Sequence, residues 1–250
     1  MRKITAIIPT FNEAHNIEAA IDSLSWADEI MVVDSFSTDD TLAIAKKKNA
    51  RIIQRAYENS ASQKNWAIPQ ASHEWIFLLD ADERCTSELK TEIQQYLQES
   101  EIPHQAYWIK RSNYFMGKKV NFSGWQGDRV IRFFNRDTCK YENKKVHAEV
   151  KSTGTIGQLK NKIKHNTYRD MDHFVKKMKK YAVWSAEDHI AKTGPINFYH
   201  LQIKPLARFI RHYLIKGGFL DGKVGYQISK IMAKGVRWRY DHIKEMRSKR

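Results

Sequence analysis

Short apolar runs alternate with amphipathic stretches at the start of this sequence. The runs occupy residues 4–8, 30–33 and 75–79, and the last leads directly to Asp80 and Asp82. Residues 51–53 are predicted as a further short strand. Uninterrupted apolar runs are typical of strands buried on both faces of a parallel sheet. Apolar positions between the first two runs follow helical spacing and predict a first helix. A second helix is predicted from Thr41, capped by Asp39 or Asp40, and a third over 60–71. The pattern predicts an α/β fold with a mostly parallel sheet flanked by helices.

Carboxylates follow several of the predicted strands, where open α/β sheets bind their ligands. Asp80 and Asp82 lie one residue apart after the strand predicted over 75–82. Two such carboxylates repel each other unless a cation lies beside them, and Mg²⁺ or Mn²⁺ carrying a diphosphate meets that need. The sequence therefore predicts a metal site at Asp82 and Asp80, and the alternative is an ordinary acidic turn.

Three motifs, at residues 8–13, 32–41 and 78–83, resemble those of the family 2 inverting glycosyltransferases. The resemblance implies the GT-A fold and a nucleotide-sugar site. In this interpretation Phe11 packs against the base, while Glu13 and Asp34 accept hydrogen bonds from the ribose or the base. Pro9 and Thr10 would offer backbone groups, Lys64 would be the cation for the diphosphate, and Asp80 would contact the ribose or the metal. The predicted nucleotide-sugar residues are thus Pro9, Thr10, Phe11, Glu13, Asp34, Lys64 and Asp80.

Structural alternatives remain for three of these residues. Phe11 is also explained as a core residue, Glu13 as a carboxylate favoured in the first turn of a helix, and Lys64 as a solvated helical lysine. The sequence contains neither a glycine-rich dinucleotide fingerprint nor a Walker loop, which argues against an NAD enzyme and a P-loop ATPase.

The second half of the predicted catalytic domain contains the candidates for a general base. An inverting transfer needs a group that takes the proton of the acceptor hydroxyl, and the candidates are Glu149, Asp128 and His147. The strand predicted over 129–136 and the segment 146–149 resemble the enzymes of family 2 that build the lipopolysaccharide core. That subgroup has a carboxylate directly after the histidine, where this chain has Ala148, so Glu149 and Asp128 rank nearly level. A diphosphate contact is predicted among Arg129, Arg132 and Arg136, with at least two of the three expected to be solvated.

Charge is distributed unevenly around a formal net charge of +15. Residues 1–100 contain 10 lysines and arginines against 16 acidic residues, whereas residues 195–250 contain 13 against 3. We expect a GT-A domain over 1–160, with a nucleotide-sugar half (1–100) and an acceptor half (101–160), and a basic helical region over 161–250. Two cysteines without metal-site spacing, and the absence of an apolar segment long enough for a signal peptide or a membrane span, favour a cytoplasmic protein.

The basic region is patterned as two amphipathic helices. One apolar face contains Leu206, Ile210 and Leu214, and a second contains Val224 and Ile228. Basic amphipathic helices are typical of surfaces that lie on an anionic membrane, although such faces more often pack on their own protein. One helix docked and the other on lipid would satisfy both interpretations. A nucleic-acid partner is disfavoured, because no known nucleic-acid-binding module is present.

These observations predict a metal-dependent hexosyltransferase at the cytoplasmic face of the inner membrane. Its donor would be a UDP-sugar and its acceptor a glycolipid such as a lipopolysaccharide core precursor, with inversion implied by the family resemblance. Polyprenyl phosphate, a polysaccharide and a protein remain alternative acceptors. A basic membrane- or nucleic-acid-binding protein on a degenerate GT-A scaffold is the non-enzymatic alternative.

Overall fold

The computed structural model describes residues 2–144 and 148–248, and these form strands and helices in alternation through the first hundred residues. The strands are β1 (Ile4–Thr10), β2 (Glu29–Asp34), β3 (Arg51–Gln54), β4 (Trp75–Leu78), β5 (Glu83–Arg84), β6 (Ala106–Phe115), β7 (Lys118–Val120), β8 (Arg129–Asn135), β9 (Cys139–Tyr141), β10 (Val150–Ser152) and β11 (Ile156–Tyr168). The helices are α1 (Ile17–Asp22), α2 (Thr41–Lys47), α3 (Ser60–Ala67), α4 (Ser87–Gln98), α5 (Met171–His189), α6 (Lys204–Ile210) and α7 (Gly222–Ser248).

Within the described chain, nine strands form one mixed sheet. Its main order is β3-β2-β1-β4-β8-β6-β11-β5, and β7 pairs with β6. The parallel part is confined to the four N-terminal strands, because β1 pairs parallel with β2 and β4, and β2 with β3. The antiparallel part begins where β8 joins β4. The α/β class predicted from the apolar runs is confirmed, and the parallel strands are the ones that those runs predict.

Strands β1, β2 and β4 are largely buried on both faces, which explains their mostly apolar sequences, whereas the edge strand β3 is partly exposed. In β1, Ile8 packs into a core cluster on one face with Ile17 of α1, while Ile7 packs on the other face. In β4, Phe77 and Ile76 divide between the same two clusters. Helices and loops on both sides thus leave the carboxyl ends of the strands as the open edge of this part of the sheet.

Two local predictions differ from the structure. The strand predicted over 75–82 ends at Leu78, because the chain turns there and Glu83 donates its backbone N–H to the Asp80 carbonyl (2.8 Å). Of the two candidate caps of α2, Asp39 is the one that accepts the backbone N–H of Thr41 (3.0 Å), whereas Asp40 makes no capping hydrogen bond through its side chain.

A carboxylate between β1 and β2 is held in its ionised form. Glu29 accepts hydrogen bonds from the Thr5 hydroxyl (2.7 Å), the Ser72 backbone N–H (2.8 Å) and Arg51 (2.9 Å). Burial alone would raise the pKa of Glu29, but hydrogen bonds from Ser72, Thr5 and Arg51 outweigh it and lower the pKa to about 2.

The chain divides into two compact units. The first contains the residues up to Ser112 and the segment Asp128–His165, and the second contains Asn113–Gly127 and everything from Asn166 onward. The sequence pattern predicts that residues 113–127 belong to the acceptor half and that the boundary lies at residue 160. In the structure, the hairpin of β6 and β7 contributes Phe115 and Val120 to a core of the second unit.

In the second unit, α7 buries its apolar face and α6 exposes part of its own. Val224 and Ile228 of α7 pack with Phe174 of α5. On the segment around α6, Leu206 is 55% and Leu214 is 56% exposed. Two π-helical turns flank α6, at Tyr199–Ile203 and Arg211–Ile215. No helix among the described residues is both long enough and apolar enough to span a membrane.

Candidate functional site

The loops that follow β1 and β2 are tied together at the open edge of the sheet. Asn12 donates its backbone N–H to the Ser37 hydroxyl (2.8 Å) and accepts the Thr38 backbone N–H (2.8 Å). Both Asn12 and Phe36 adopt positive φ angles, of 54° and 61°. Residues other than glycine seldom adopt positive φ angles unless the surrounding structure holds them there. Such residues are common at binding sites. The two loops therefore form a fixed rim beside the strand ends.

The residues at the end of β1 present an exposed ring and a buried hydroxyl. Phe11 is 56% exposed, so the alternative of a core residue is excluded for it. The hydroxyl of Thr10 is buried and has no hydrogen-bond partner within the described chain. Pro9 is half-buried beside it. Glu13 accepts a hydrogen bond from the Asn16 side chain (2.9 Å), and its backbone carbonyl accepts the first N–H groups of α1. Their contacts with a nucleotide stay predictions.

Asp34 is fully buried at the end of β2 and makes several internal hydrogen bonds. Its carboxylate accepts the backbone N–H and hydroxyl of Ser37 and the side-chain amide of Gln54 (3.0 Å). These contacts orient the loop after β2. A nucleotide hydroxyl that bonds Asp34 would share the carboxylate with these three donors, which leave one lone pair on Oδ1. Its predicted binding role is therefore coupled to the position of this loop.

Asp80 is neutralised by two cations from different elements. Lys64 of α3 lies 3.3 Å from one carboxylate oxygen, and Arg132 of β8 donates to the other. Burial alone would raise the pKa of Asp80, but the positive charges of Arg132, Lys64 and Arg111 outweigh it and hold that pKa well below its usual range. Lys64 is itself buried, so the alternative of a solvated lysine is excluded.

Glu83 connects these charges to the other side of the site. Its side chain is fully buried and lies 3.1 Å from Arg132 and 3.3 Å from Arg111. It also accepts the backbone N–H of Asp80 (3.0 Å). Arg111 lies in turn 3.3 Å from Asp128. The result is a continuous chain of opposite charges that fixes the positions of the two arginines.

A pocket of about 300 Å³ opens beside this charge chain. Trp108 and Tyr141 form an aromatic part of its lining. The charged side chains among the described lining residues are four basic ones, Lys64, Arg111, Arg129 and Arg132, and two acidic ones, Asp80 and Glu149. The guanidinium of Arg129 stacks over Trp108 at 4.7 Å, and the ammonium of Lys64 lies 5.2 Å from the Tyr141 ring. The predominance of positive charge suits an anionic ligand.

The candidates for the general base occupy different positions. Glu149 lines the pocket together with Asp80 and is exposed. Asp128 does not line the pocket, and its carboxylate pairs with Arg111. His147 lies outside the described residues. The structure thus separates two carboxylates that the sequence ranks nearly level, and it favours Glu149 as the group that an acceptor can reach.

Asp82 has a neighbour that the sequence did not predict. Nε2 of His165 in β11 lies 3.5 Å from a carboxylate oxygen of Asp82. Two ligands about 2.1 Å from a divalent ion lie about 3–3.5 Å apart at angles near 90–110°, so this pair fits a shared metal. Among the described residues, no group of three or more His, Cys, Asp or Glu side chains is arranged for a metal. Mg²⁺ is commonly bound through only one or two carboxylates, with phosphate oxygens and water completing its shell.

The three arginines of the β8 region have distinct environments. Arg132 is 4% exposed and paired with carboxylates. Arg129 faces the pocket, whereas Arg136 donates to the backbone carbonyl of Ala71 and lies 3.4 Å from Asp137. Arg132 and Arg129 therefore remain candidates for a phosphate contact, and Arg136 has a structural role.

Comparison with known proteins identifies the family. A family model described as Glycosyl transferase family 2 matches residues 5–153, which include every candidate residue except His165. The chain belongs to glycosyl transferase family 2. It is accordingly a glycosyltransferase, and the predicted enzyme class and GT-A type of fold are confirmed.

Full-length relatives support the same classification. An uncharacterized glycosyltransferase of Rickettsia prowazekii is 27% identical over 93% of this chain and 84% of its own length. The lipopolysaccharide core biosynthesis glycosyltransferase LpsC of Rhizobium meliloti is 26% identical over 95% of this chain and 93% of its own length. Among solved structures, glucosyl-3-phosphoglycerate synthase from Mycobacterium tuberculosis, crystallised with Mn²⁺, UDP and glucosyl-3-phosphoglycerate, is 24% identical over 46% of this chain and 45% of that chain, with a TM-score of 0.37.

Proposed function

We propose that this family 2 glycosyltransferase moves a hexose, with inversion, from a UDP-sugar to a membrane-anchored glycolipid of the lipopolysaccharide core type. The pocket that combines Asp80, Glu149 and basic side chains carries the proposal, because it offers a diphosphate site and an exposed carboxylate in one place. The similarity to LpsC supports the class of acceptor.

The donor would bind along the strand ends. The exposed ring of Phe11 offers a stacking surface for the base, and the buried hydroxyl of Thr10 lacks a partner that a nucleotide group would supply. Lys64 and Arg132 stand on either side of Asp80, within reach of a phosphate that approaches it. Preorganised cations of this kind stabilise the negative charge that grows on a departing diphosphate.

A divalent ion, Mg²⁺ or Mn²⁺, would be held by Asp82 and His165, with Asp80 beside it, and would neutralise the diphosphate when bound. The spacing of 3.5 Å between the two side chains supports this ligand pair. Asp82 belongs to the turn after β4 and His165 to β11, so the site needs both elements in register.

Glu149 would act as the general base. The acceptor hydroxyl would attack the anomeric carbon from the face opposite the diphosphate, and Glu149 would take the hydroxyl proton as the new bond forms. The bond between the anomeric carbon and the diphosphate oxygen breaks in the same step, and its electron pair leaves with UDP. Such a base contributes typically about 10²–10⁴-fold to the rate.

The second unit would hold the enzyme at the cytoplasmic face of an anionic membrane. The apolar side chains Ile203, Leu206, Ile210 and Leu214 are 39–56% exposed, and Ile215 is 74% exposed. Basic residues accompany them along the same segment, as in helices that lie in a membrane interface. An enzyme held in this way would share the membrane surface with an acceptor that is itself anchored in lipid.

Thermal-shift measurements on the full chain test the donor site. The protein would be heated with UDP, GDP, CDP and dTDP, each with and without Mn²⁺, because ligands that bind the native state raise the melting temperature. We expect a metal-dependent rise for UDP that is lost in both Asp82→Asn and His165→Gln. Asp137→Asn, an exposed carboxylate on the turn after β8, serves as the matched control and should keep the rise.

The outcomes separate the parts of the proposal. A rise with UDP that needs no metal would contradict the pair of Asp82 and His165, and a rise with another nucleotide would change the donor. Glu149→Gln should keep the UDP rise and lose transfer to the acceptor by at least about a hundredfold. Transfer at the normal rate in that variant would assign the base elsewhere.

A polyprenyl phosphate is the second candidate acceptor, favoured by one observation. Arg129 faces the pocket on the ring of Trp108 and forms no ion pair within the described chain, so it could receive an acceptor phosphate. Glycosylation of polyprenyl phosphate that falls sharply in Arg129→Gln, with no transfer to a core glycolipid, would favour this alternative.

A further inference from the structure

Three helices of the second unit line a small, open pocket that the proposed transfer does not use. Its volume is about 150 Å³, and α5, α6 and α7 all contribute to it. The walls are largely apolar, with Met178 and Ala182 on one side and Met232 and Val236 on the other. Arg208 of α6 and Arg239 of α7 complete the lining.

Neither arginine is paired with a carboxylate in the described part of the chain. Arg239 donates through Nη2 to the Tyr240 hydroxyl (2.9 Å), while its buried Nε has no hydrogen-bond partner. The contact of Arg208 is with Nε2 of His212, at 3.5 Å. A guanidinium offers five N–H donors, so most of those on the two arginines are left for a ligand.

The surroundings of the two arginines are positive as well. Burial lowers the pKa of Arg208, and the charges of Arg211 and Arg239 lower it further. His212 carries a proton on Nδ1, because this atom contacts the Ser123 carbonyl (2.9 Å), which can only accept. Its Nε2, which lies beside Arg208, therefore brings no negative charge to the arginines. Partly buried cations that repel one another, in a pocket of the observed size, are stabilised by an anion.

We propose that this pocket binds the phosphate group of an anionic membrane lipid, with the guanidinium groups of Arg208 and Arg239 on the phosphate oxygens and the methionine-lined walls on its apolar part. Paired guanidinium groups match phosphate oxygens in number and geometry. Apolar walls favour a lipid phosphate over inorganic phosphate, because free phosphate gains nothing from them.

The position of α6 supports a lipid as the source of the phosphate. This proposal rests on the membrane location proposed above. Leu206 and Ile210 lie on the side of α6 roughly opposite Arg208, and both are exposed. An interfacial helix sinks its apolar face about 5–10 Å into the boundary of headgroups and acyl chains. Since a helix is about 10 Å across, Arg208 would then lie at the level of the lipid phosphates.

Binding of a soluble short-chain lipid provides the test on the full chain. Dihexanoyl phosphatidic acid, used as a monomer, would be titrated by calorimetry against the wild type and the double variant Arg208→Gln, Arg239→Gln. We expect binding by the wild type and a loss of roughly tenfold per arginine, since a hydrogen bond to a charged group contributes about that factor. The matched control, Lys223→Gln with Lys234→Gln, removes two exposed charges of α7 and should stay within about twofold.

A second variant and two other ligands keep the result unambiguous. Arg208→Lys with Arg239→Lys keeps the charge but loses the planar fork, and it should also bind weakly. Equal binding by the glutamine variant and the wild type, or full binding by the lysine variant, would overturn the proposal, as would dihexanoyl phosphatidylcholine binding as tightly. Inorganic phosphate binding as tightly would assign the site to free phosphate instead. Circular dichroism of each variant shows whether it is folded.

The two membrane proposals fail in different ways. Sedimentation with vesicles of phosphatidylcholine and phosphatidylglycerol reports the membrane location, and its failure would remove that part of the proposed function. Vesicle binding without any binding of the short-chain lipid would instead remove this pocket alone. The thermal shift with UDP measures the donor site and should be unchanged in all variants of Arg208 and Arg239.

Discussion

Replacing Glu83 by glutamine should destabilise the protein strongly, because this carboxylate compensates two arginines in the interior. Its side chain is fully buried, and Arg132, which is 4% exposed, lies 3.1 Å away. Arg111 lies 3.3 Å away and the backbone N–H of Asp80 donates to the same carboxylate. A glutamine of the same shape would turn two amide hydrogens towards guanidinium groups. The variant thus removes the negative charge while it keeps the volume.

The size of the effect follows from the cost of an uncompensated buried charge. Removing one partner of a buried ion pair typically costs about 3–5 kcal/mol. A chain of this length loses about 2–4 °C of melting temperature per kcal/mol, so the expected loss is roughly 6–20 °C. We expect nucleotide-sugar binding to weaken in Glu83→Gln as well, because Glu83 holds Arg132 against Asp80.

Urea unfolding followed by circular dichroism measures the free energy of unfolding. Glu74→Gln is the matched control, since Glu74 is exposed directly before β4, and its effect should stay within about 0.5 kcal/mol. A double-mutant cycle with Arg111→Gln should show coupling between the two positions. A loss below about 1 kcal/mol in Glu83→Gln, or the same loss in Glu74→Gln, would refute the reasoning.

Two further predictions concern acid stability and helix packing. Glu29→Gln should lower the free energy of unfolding above pH 4.5. As the pH falls from 4.5 towards 2, the carboxyl of the unfolded chain is protonated first, so the difference in free energy between variant and wild type should shrink and vanish near pH 2. Acid titrations followed by circular dichroism measure this difference. Gly225→Ala should be strongly destabilising because its Cβ would lie 1.8 Å from the Gly218 carbonyl oxygen, whereas Gly235→Ala meets only the flexible end of Met178 at 3.4 Å and should be tolerated in thermal unfolding.

The strands of the parallel sheet were predictable because burial on both faces leaves a local signature. Residues 30–33 are all apolar and residues 4–8 are apolar except for Thr5, and both segments became strands at nearly the predicted bounds. The end of β4 was not predictable in the same way. Leu79 is apolar and buried, yet it lies beyond the strand, since the turn is set by a backbone hydrogen bond between Glu83 and Asp80.

The candidate site was predictable only where its residues are close in sequence. Asp80 and Asp82 form a local motif, whereas His165 comes from a strand some eighty residues later and has no motif of its own. The burial of Arg132 could not be predicted from the sequence either, because an arginine in a strand of alternating polar and apolar residues is usually solvated. Its two carboxylate partners, which make burial possible, belong to another segment.

The separation of Glu149 from Asp128 also required the fold. Asp128 directly precedes β8 and Glu149 directly precedes β10, and they are distinguished by the pairing of Arg111 with Asp128 and by the position of Glu149 in the pocket lining. For the C-terminal region, periodicity correctly identified apolar faces on two helices. It could not show that Val224 is covered while Leu206 is not, since this depends on the helix that α7 meets.

The hairpin of β6 and β7 has a consequence for how the chain matures on the ribosome. Its residues Phe115 and Val120 find their apolar partners on α5 and α7, and Asp221 accepts the backbone N–H groups of Asn121 and Phe122. About fifty residues must therefore be synthesised after the hairpin before α5 begins and about a hundred before α7 begins, so at 5–20 residues per second the core stays incomplete for roughly 5–20 seconds. Nascent chains of this protein should accordingly depend on chaperones until the last helix has left the ribosome.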